Sequence, residues 1–335
     1  MQIKKITIIG MGTWGTTLAI LLAEKGYTTL AWEWISERAD AMQRERVNKI
    51  FLPECRFPEN LTITNNLEQA ASFGDLIVLA LPSHAMRSTI KPVKNMLTHK
   101  YIVSVTKGLE IDTLQRMSEV IIEVTQNPPE KVAALYGPTH AEEVSKKLPA
   151  TIVAASVDRQ FAATVQKVFM TDYLRVYTSQ DIIGVELGGS LKNVIAIGAG
   201  IIDGMHLGDN AKASLITRGA REITRLGIKC GARVHTFAGI SGIGDLIVTC
   251  TSKHSRNRYV GEQLAQGKTL TAITESMEMV AEGIKTTEAA VKLSKKFGVE
   301  MPIANEIYKI LFKGLDPKIV VKNLMTRSAK SEDEF

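Results

Sequence analysis

KITIIGMGTWGTTLAILLAEK, residues 5–25, carries three signals in succession. Lys5 to Ile9 is a short β-branched run, Gly10-Met11-Gly12-Thr13-Trp14-Gly15 is G-x-G-x-x-G, and Thr16 to Lys25 repeats its apolar residues as a helix does. A strand, a glycine turn and a helix in that order form the opening unit of a dinucleotide-binding sheet. The first glycine permits the tight turn and the second lets backbone approach a pyrophosphate. The third lets the helix pack on the strand, and the helix N-terminus then faces the phosphates.

Working outward, Glu33 ends the next predicted strand, 23 residues beyond Gly10. A carboxylate there accepts hydrogen bonds from the adenosine ribose diol of NAD. Arg38, Arg44 and Arg46 follow closely. One of them could reach the 2′-phosphate of NADP if Glu33 turned to solvent, which costs a surface glutamate little. NAD and NADP both stay open.

Further β-rich runs recur at Thr28 to Trp32, Leu61 to Thr64, Asp75 to Leu81, Tyr101 to Val105, Val132 to Leu135, Thr151 to Ala155 and Leu174 to Tyr177. Several are continuously apolar, as in Leu76 to Leu81, which is expected of parallel strands covered on both faces. From Ser179 onward helical patterns take over, with turns expected at Asp203-Gly204 and from Gly239 to Gly244. The fold class is therefore α/β: an N-terminal Rossmann-like, doubly wound, mainly parallel sheet followed by an all-helical C-terminal domain. The expected divisions are 1–180 for dinucleotide binding, 181–325 as a helical substrate domain and a polar tail over 326–335 expected to fray.

With 335 residues, 45% of them hydrophobic, the chain can bury two cores. Its start does not read as a signal peptide, and the longest apolar-plus-glycine run, Val194 to Ile202, is short of the roughly 20 residues a membrane span needs. Three scattered cysteines and six histidines suggest neither a disulfide framework nor a metal site. The net charge of +6 is spread among acidic residues, with local basic clustering only around Lys253 to Arg258. That suits a small anion better than a duplex. A soluble, cytoplasmic protein without a nucleic-acid partner or stable membrane insertion is expected, and a homodimer is the assembly to test.

Ligands in open α/β sheets bind beyond the carboxyl ends of the strands. Pro82-Ser83, Thr106-Lys107-Gly108 and Gly137-Pro138-Thr139 follow predicted strands. Lys107, beside a glycine, points its charge away from any helix face. In Val185 to Gly200, Lys192 is the one basic residue, on a helical face shared with Gly188, Gly189, Ile195, Ala196 and Ala199. An ammonium there must snorkel to water or be put to use. The small residues around it would let a nicotinamide ring and a substrate lie close. Glu186 is too far along the helix to pair with Lys192, and Asn193 is a further polar residue to explain. Gly239 to Asp245, with Thr249 and Ser255-Arg256-Asn257-Arg258, supplies a carboxylate and a guanidinium fork suited to phosphate.

Together these stretches resemble the bacterial-type NAD(P)-dependent glycerol-3-phosphate dehydrogenases over nearly the whole chain. The resemblance rests on Gly10 to Gly15 with Trp14, Thr106-Lys107-Gly108, Gly137-Pro138-Thr139, Glu186 to Asn193, Gly242-Ile243-Gly244-Asp245-Leu246, Ser255-Arg256-Asn257 and Val280-Ala281-Glu282-Gly283. It implies interconversion of sn-glycerol 3-phosphate and dihydroxyacetone phosphate for phospholipid synthesis. It further implies Lys192 as proton acceptor and Lys107 as a contact to substrate and cofactor. Gly137, Thr139, Asp245, Ser255, Arg256 and Asn257 would touch substrate, with Asn193 and Thr249 beside them. Trp14, Ala141, Arg256, Val280 and Glu282 would touch the dinucleotide, along with Gly10, Gly12, Thr13, Gly15 and Glu33. Thr13 stands where the family often has serine, a change that keeps the hydroxyl. Lys192, Lys107 and Asp245 are the expected catalytic group. A 3-hydroxyacid or 6-phosphogluconate type dehydrogenase is the rival enzyme reading, and a dinucleotide-sensing regulator the rival outside enzymes.

Overall fold

The structure is a computed structural model that describes residues 2–277 and 280–333. Contacts divide it into two units, residues 2–106 with 117–182, and residues 107–116 with 183–333.

The first unit is built on an eight-stranded sheet made of β1 (Lys5–Ile9), β2 (Thr28–Trp32), β5 (Leu61–Thr64), β6 (Leu76–Leu79), β7 (Tyr101–Ser104), β8 (Val132–Tyr136), β9 (Ala150–Ala155) and β10 (Leu174–Ser179). A separate antiparallel ribbon pairs β3 (Val47–Asn48) with β4 (Leu52–Arg56). The order across the sheet is β10-β9-β8-β7-β6-β1-β2-β5. Every pair is parallel except β8 with β9, which runs antiparallel. The mainly parallel α/β expectation is met.

Alternation along the strands explains why both faces are covered. In β6, Leu76 and Val78 join one buried cluster with Ile6, Ile8 and Val103, while Ile77 and Leu79 join another with Ile9 and Ile102. β1 sits between β6 and β2, so successive connections depart to opposite sides at β1, where this architecture holds a ligand.

The second unit is helical from Ile183 onward among the described residues. Its core is helix Ile182–Gly204, whose Leu187, Leu191, Ile195 and Ala199 are buried in a cluster shared with Leu226, Leu246, Val260 and Ala290. The expected turn from Gly239 to Gly244 is instead a π-helical turn, Ile240–Gly244, running into helix Asp245–Thr251. The tail is held at Glu332, whose carboxylate meets Arg218 and Arg221, each at 3.0 Å. Its last two residues lie outside the described ones.

Among the described residues, two stretches are long and apolar enough to cross a membrane although neither is an uninterrupted apolar run: Ile182–Gly204 and Val234–Thr251. The first is a core helix, 94% of its apolar window being buried within the protein. The second is broken into Val234–Phe237, the π-turn and Asp245–Thr251, and it buries Asp245.

Candidate active site

Helix Thr13–Glu24 begins three residues earlier than its apolar period predicts, directly after Gly12 as N-cap. The turn before it is closed by the Gly10 N–H, which donates to the Trp32 carbonyl at 3.1 Å. Gly10 has φ +108°, and a Cβ there would sit 2.5 Å from the Ala80 carbonyl oxygen. A Cβ on Gly15 would lie 1.9 Å from the Gly10 oxygen. Both glycines are required by the protein's own packing. Gly12 is not: its φ of −67° suits any residue, and a Cβ would meet nothing within 4 Å. The space before it is open at the start of a 12-residue helix, where N–H groups and the helix dipole favour an anion. That geometry fits a dinucleotide pyrophosphate. Thr13 is buried in the first helical turn and Trp14 half-buried beside it.

Glu33 is 4% exposed, and its carboxylate accepts the Ile35 N–H at 3.1 Å. Burial pushes its pKa above the usual carboxylate value, opposed by the Ile35 bond and by Arg38. This corrects the expectation of a surface glutamate free to turn to solvent, since rotation would break a backbone bond. Arg46 is committed elsewhere: it donates to the carbonyls of Pro58 (2.6 Å) and Leu61 (2.7 Å) and lies over the Phe57 ring. Arg44 is exposed beside Glu45. Of the three arginines, Arg38 is the one in the field of Glu33. In the same unit, a Cβ on Gly137 would press 2.9 Å from the β9 backbone. Thr139 donates to the Gly137 carbonyl at 3.3 Å, and Ala141 opens helix Ala141–Val144.

Lys192 does not snorkel. It is 5% exposed, and its ammonium donates to Asp245 Oδ1 at 2.6 Å and to Thr249 Oγ1 at 2.5 Å. The other Asp245 oxygen, Oδ2, accepts from Lys107 at 2.9 Å. Asp245 is 1% exposed, so one buried carboxylate is shared by two lysines. Burial pulls the Lys192 pKa down to about 8, reinforced by the like charge of Lys107 and opposed by Asp245. The sequence thus places a lysine where its neutral form is accessible near physiological pH.

Gly188 corrects one expectation about this helical face. A Cβ there would stand 2.8 Å from the Ser241 carbonyl oxygen, so the missing side chain admits the protein's own π-turn rather than a ligand. Glu186 does not reach Lys192, as its spacing suggests, and pairs with Arg116 at 2.5 Å.

A second group gathers at the start of helix Arg256–Ala265. Ser255 caps it, accepting the Arg258 N–H at 3.3 Å. Asn257 Oδ1 accepts the Gly283 N–H at 2.8 Å, and Arg256 donates to the Val280 carbonyl at 2.9 Å. A Cβ on Gly283 would lie 2.7 Å from both Asn257 Oδ1 and the Asn193 carbonyl oxygen. Asn193, Asn257 and Gly283 therefore meet, with Glu282 in the first turn of helix Glu282–Phe297. Among the described residues no group of three His, Cys, Asp or Glu could hold a metal ion.

Sequence reasoning misses Asn48. Its amide, 2% exposed, donates to the Met11 carbonyl (2.8 Å) and the Thr16 hydroxyl (2.9 Å), bracing the glycine turn. No period or spacing marks it. Trp34, 72% exposed directly after Glu33, is missed as well, although a tryptophan bordering a cofactor-type carboxylate is a signal in its own right.

The model of the NAD-dependent glycerol-3-phosphate dehydrogenase N-terminus matches residues 5–162, and that of the C-terminus matches residues 181–322. A glycerol-3-phosphate dehydrogenase [NAD(P)+] of Lysinibacillus sphaericus is 48% identical over 98% of both chains. One from Chlorobium limicola is 49% identical over 98% of this chain and 99% of its own. The crystal structure of glycerol-3-phosphate dehydrogenase from Coxiella burnetii superposes with a TM-score of 0.93 at 37% identity, covering 97% of this chain and 99% of the other. With both family models matched, relatives near 48% identity along the whole chain, a glycine turn open at a helix N-terminus and a buried Lys192–Asp245 pair, the chain belongs to the NAD-dependent glycerol-3-phosphate dehydrogenase family.

Proposed function

We propose that this protein interconverts sn-glycerol 3-phosphate and dihydroxyacetone phosphate with NAD or NADP, supplying glycerol 3-phosphate for phospholipid synthesis. The observation that carries the mechanism is the buried Lys192 ammonium bonded to Asp245 and Thr249, its pKa lowered to about 8. When bound, the oxidised nicotinamide supplies the acceptor for the hydride leaving the carbinol carbon. Neutral Lys192 takes the proton of the same carbinol hydroxyl, which allows the carbonyl to form. In reduction, the Lys192 ammonium stabilises the oxygen as negative charge develops and then protonates it. Oxidation therefore gains, and reduction loses, as pH rises through about 8. Asp245 orients Lys192 and balances part of the charge of two adjacent lysines.

In this reading residues 1–180 bind the dinucleotide and 181–325 serve the substrate. Gly10, Gly12, Thr13, Trp14 and Gly15 cradle the pyrophosphate and Glu33 the ribose. Lys107, Ala141, Arg256, Val280 and Glu282 contact the cofactor further. Lys107, Gly137, Thr139, Asn193, Thr249, Ser255, Arg256 and Asn257 are the residues assigned to the substrate, the guanidinium of Arg256 suiting its phosphate. The location is cytoplasmic, and the partners are small molecules rather than nucleic acid or membrane.

The test is Lys192→Ala, assayed in both directions with NADH and NADPH. Turnover should fall by on the order of 100-fold or more, as loss of a positioned acid/base does, with dinucleotide affinity retained. A variant keeping more than about a third of wild-type turnover at saturating substrate would end the assignment.

A further inference from the structure

Lys107 opens a segment that is closed on itself. Leu109 and Arg116 form an antiparallel bridge, and the Glu110 N–H donates to the Gln115 carbonyl at 3.0 Å. This loop is tied to helix Ile182–Gly204 at two points. At one, the Gly108 N–H donates to Ser190 Oγ at 2.9 Å, and the Ser190 hydroxyl stands 3.2 Å from the Gly108 carbonyl. At the other, Arg116 donates to Glu186 Oε2 at 2.5 Å. Glu186 is 1% exposed, and Leu109 packs in the apolar cluster of Leu187 and Leu191. The mechanism makes no use of Glu186, yet a carboxylate buried so deeply is tolerated only when paired. Its partner closes the loop that begins at Lys107.

We infer that Glu186 is a positioning residue for the reaction, holding Arg116 and thereby the Lys107 loop so that the Lys107 ammonium stands against Asp245. The inference rests on the dehydrogenase reading above. Among the described residues, the charged and titratable groups acting most strongly on Lys192 are Asp245 and Cys250, from helix Asp245–Thr251, and Lys107 from the loop. Lys107 lowers the Lys192 pKa and Asp245 raises it. Slack in the loop moves Lys107 away, leaves Asp245 to Lys192 alone and raises that pKa.

The experiment is the pH profile of glycerol 3-phosphate oxidation for wild type, Glu186→Gln, Lys107→Ala and the double variant, read well below each melting temperature. Glu186→Gln should move the acid limb of the profile upward by about half a pH unit or more and, through that shift, lower kcat/KM at pH 8 about twofold or more. In the Lys107→Ala background the same substitution should shift the limb no further, because the effect passes through Lys107. If Glu186→Gln does not fold, Arg116→Lys, which keeps the charge and loses the fork, reads the same shift. A limb superimposable on wild type, with only the melting temperature lowered, overturns the inference, as does an added shift in the Lys107→Ala background. Absence of wild-type turnover would instead sink the dehydrogenase reading, and an active Lys192→Ala would remove Lys192 as its proton acceptor.

Discussion

At the scale of single residues, a buried charge is legible in sequence when its surroundings are local and opaque when its partner is remote. Lys192 stands out because its helical neighbours are small and apolar. The partner that makes its burial tolerable, Asp245, lies 53 positions away. The partner of Glu186, and Asn48 altogether, escape notice for the same reason, the partners being 70 and 32 to 37 positions distant. Glu33 is marked by its distance from Gly10, yet its burial and its bond to Ile35 come only from the fold. Those two facts sharpen the cofactor question. A fixed carboxylate accepts from a ribose diol and repels a 2′-phosphate, and Arg46 is held by two carbonyls where it cannot compensate. Both cofactors should work, with NADH at least competitive. Glu33→Arg should move the ratio of specificity constants toward NADPH by about tenfold or more. A wild-type preference for NADPH near a hundredfold that the substitution leaves unchanged would place the discriminating contacts elsewhere.

At the scale of elements, pattern reveals the strands buried on both faces and also the alternating edge strands β5 and β10. β6 is read from Leu76-Ile77-Val78-Leu79 because a continuous apolar run has few other uses at that length. The β3–β4 ribbon is not read. Val47–Asn48 is two residues long, and Leu52–Arg56 is mostly exposed and contains Pro53. Its pairing is set by contacts rather than by composition. A similar long-range device caps helix Pro302–Lys313: Glu222, 3% exposed on helix Asp209–Lys229, accepts the N–H groups of Ile303 (2.7 Å) and Ala304 (3.3 Å). Burial raises its pKa from 4.5 to about 7, against the pull of those bonds, Arg225 and Arg327. The folded pKa lies above the unfolded one, so between them the native state holds more protons. The contribution of Glu222 is thus fully present below about 4.5 and is lost as pH rises through about 7. Glu222→Gln keeps an acceptor and cannot ionise. The melting temperature of the variant relative to wild type should rise between pH 5 and pH 8, and a difference independent of pH would show that Glu222 ionises normally.

At the scale of the whole molecule, the chain passes between its two units after Thr106, after Arg116 and after Ile182. Lys107 follows a sheet strand in sequence but belongs by its contacts to the helical unit, with Asp245, Ser190 and Glu186. The three residues at the proposed proton-transfer centre, Lys107, Lys192 and Asp245, therefore share one folded body, so its charge balance depends on one core. Leu191, 1% exposed beside Lys192 in the helical core, should cost about 2–5 kcal/mol when cut to alanine. The destabilised unit opens more often, and the loop from Lys107 to Arg116 opens with it. Native-state trypsin digestion of Leu191→Ala should thus cleave after Lys107 and Arg116 at the rate of sites within 183–333. Sites on the sheet unit, such as Arg159 and Lys167 on helix Arg159–Phe169, should stay at wild-type rates. Cleavage after Lys107 that tracks the sheet sites would show that the loop folds with the strand it follows, and would detach Lys107 from the proton balance of Lys192.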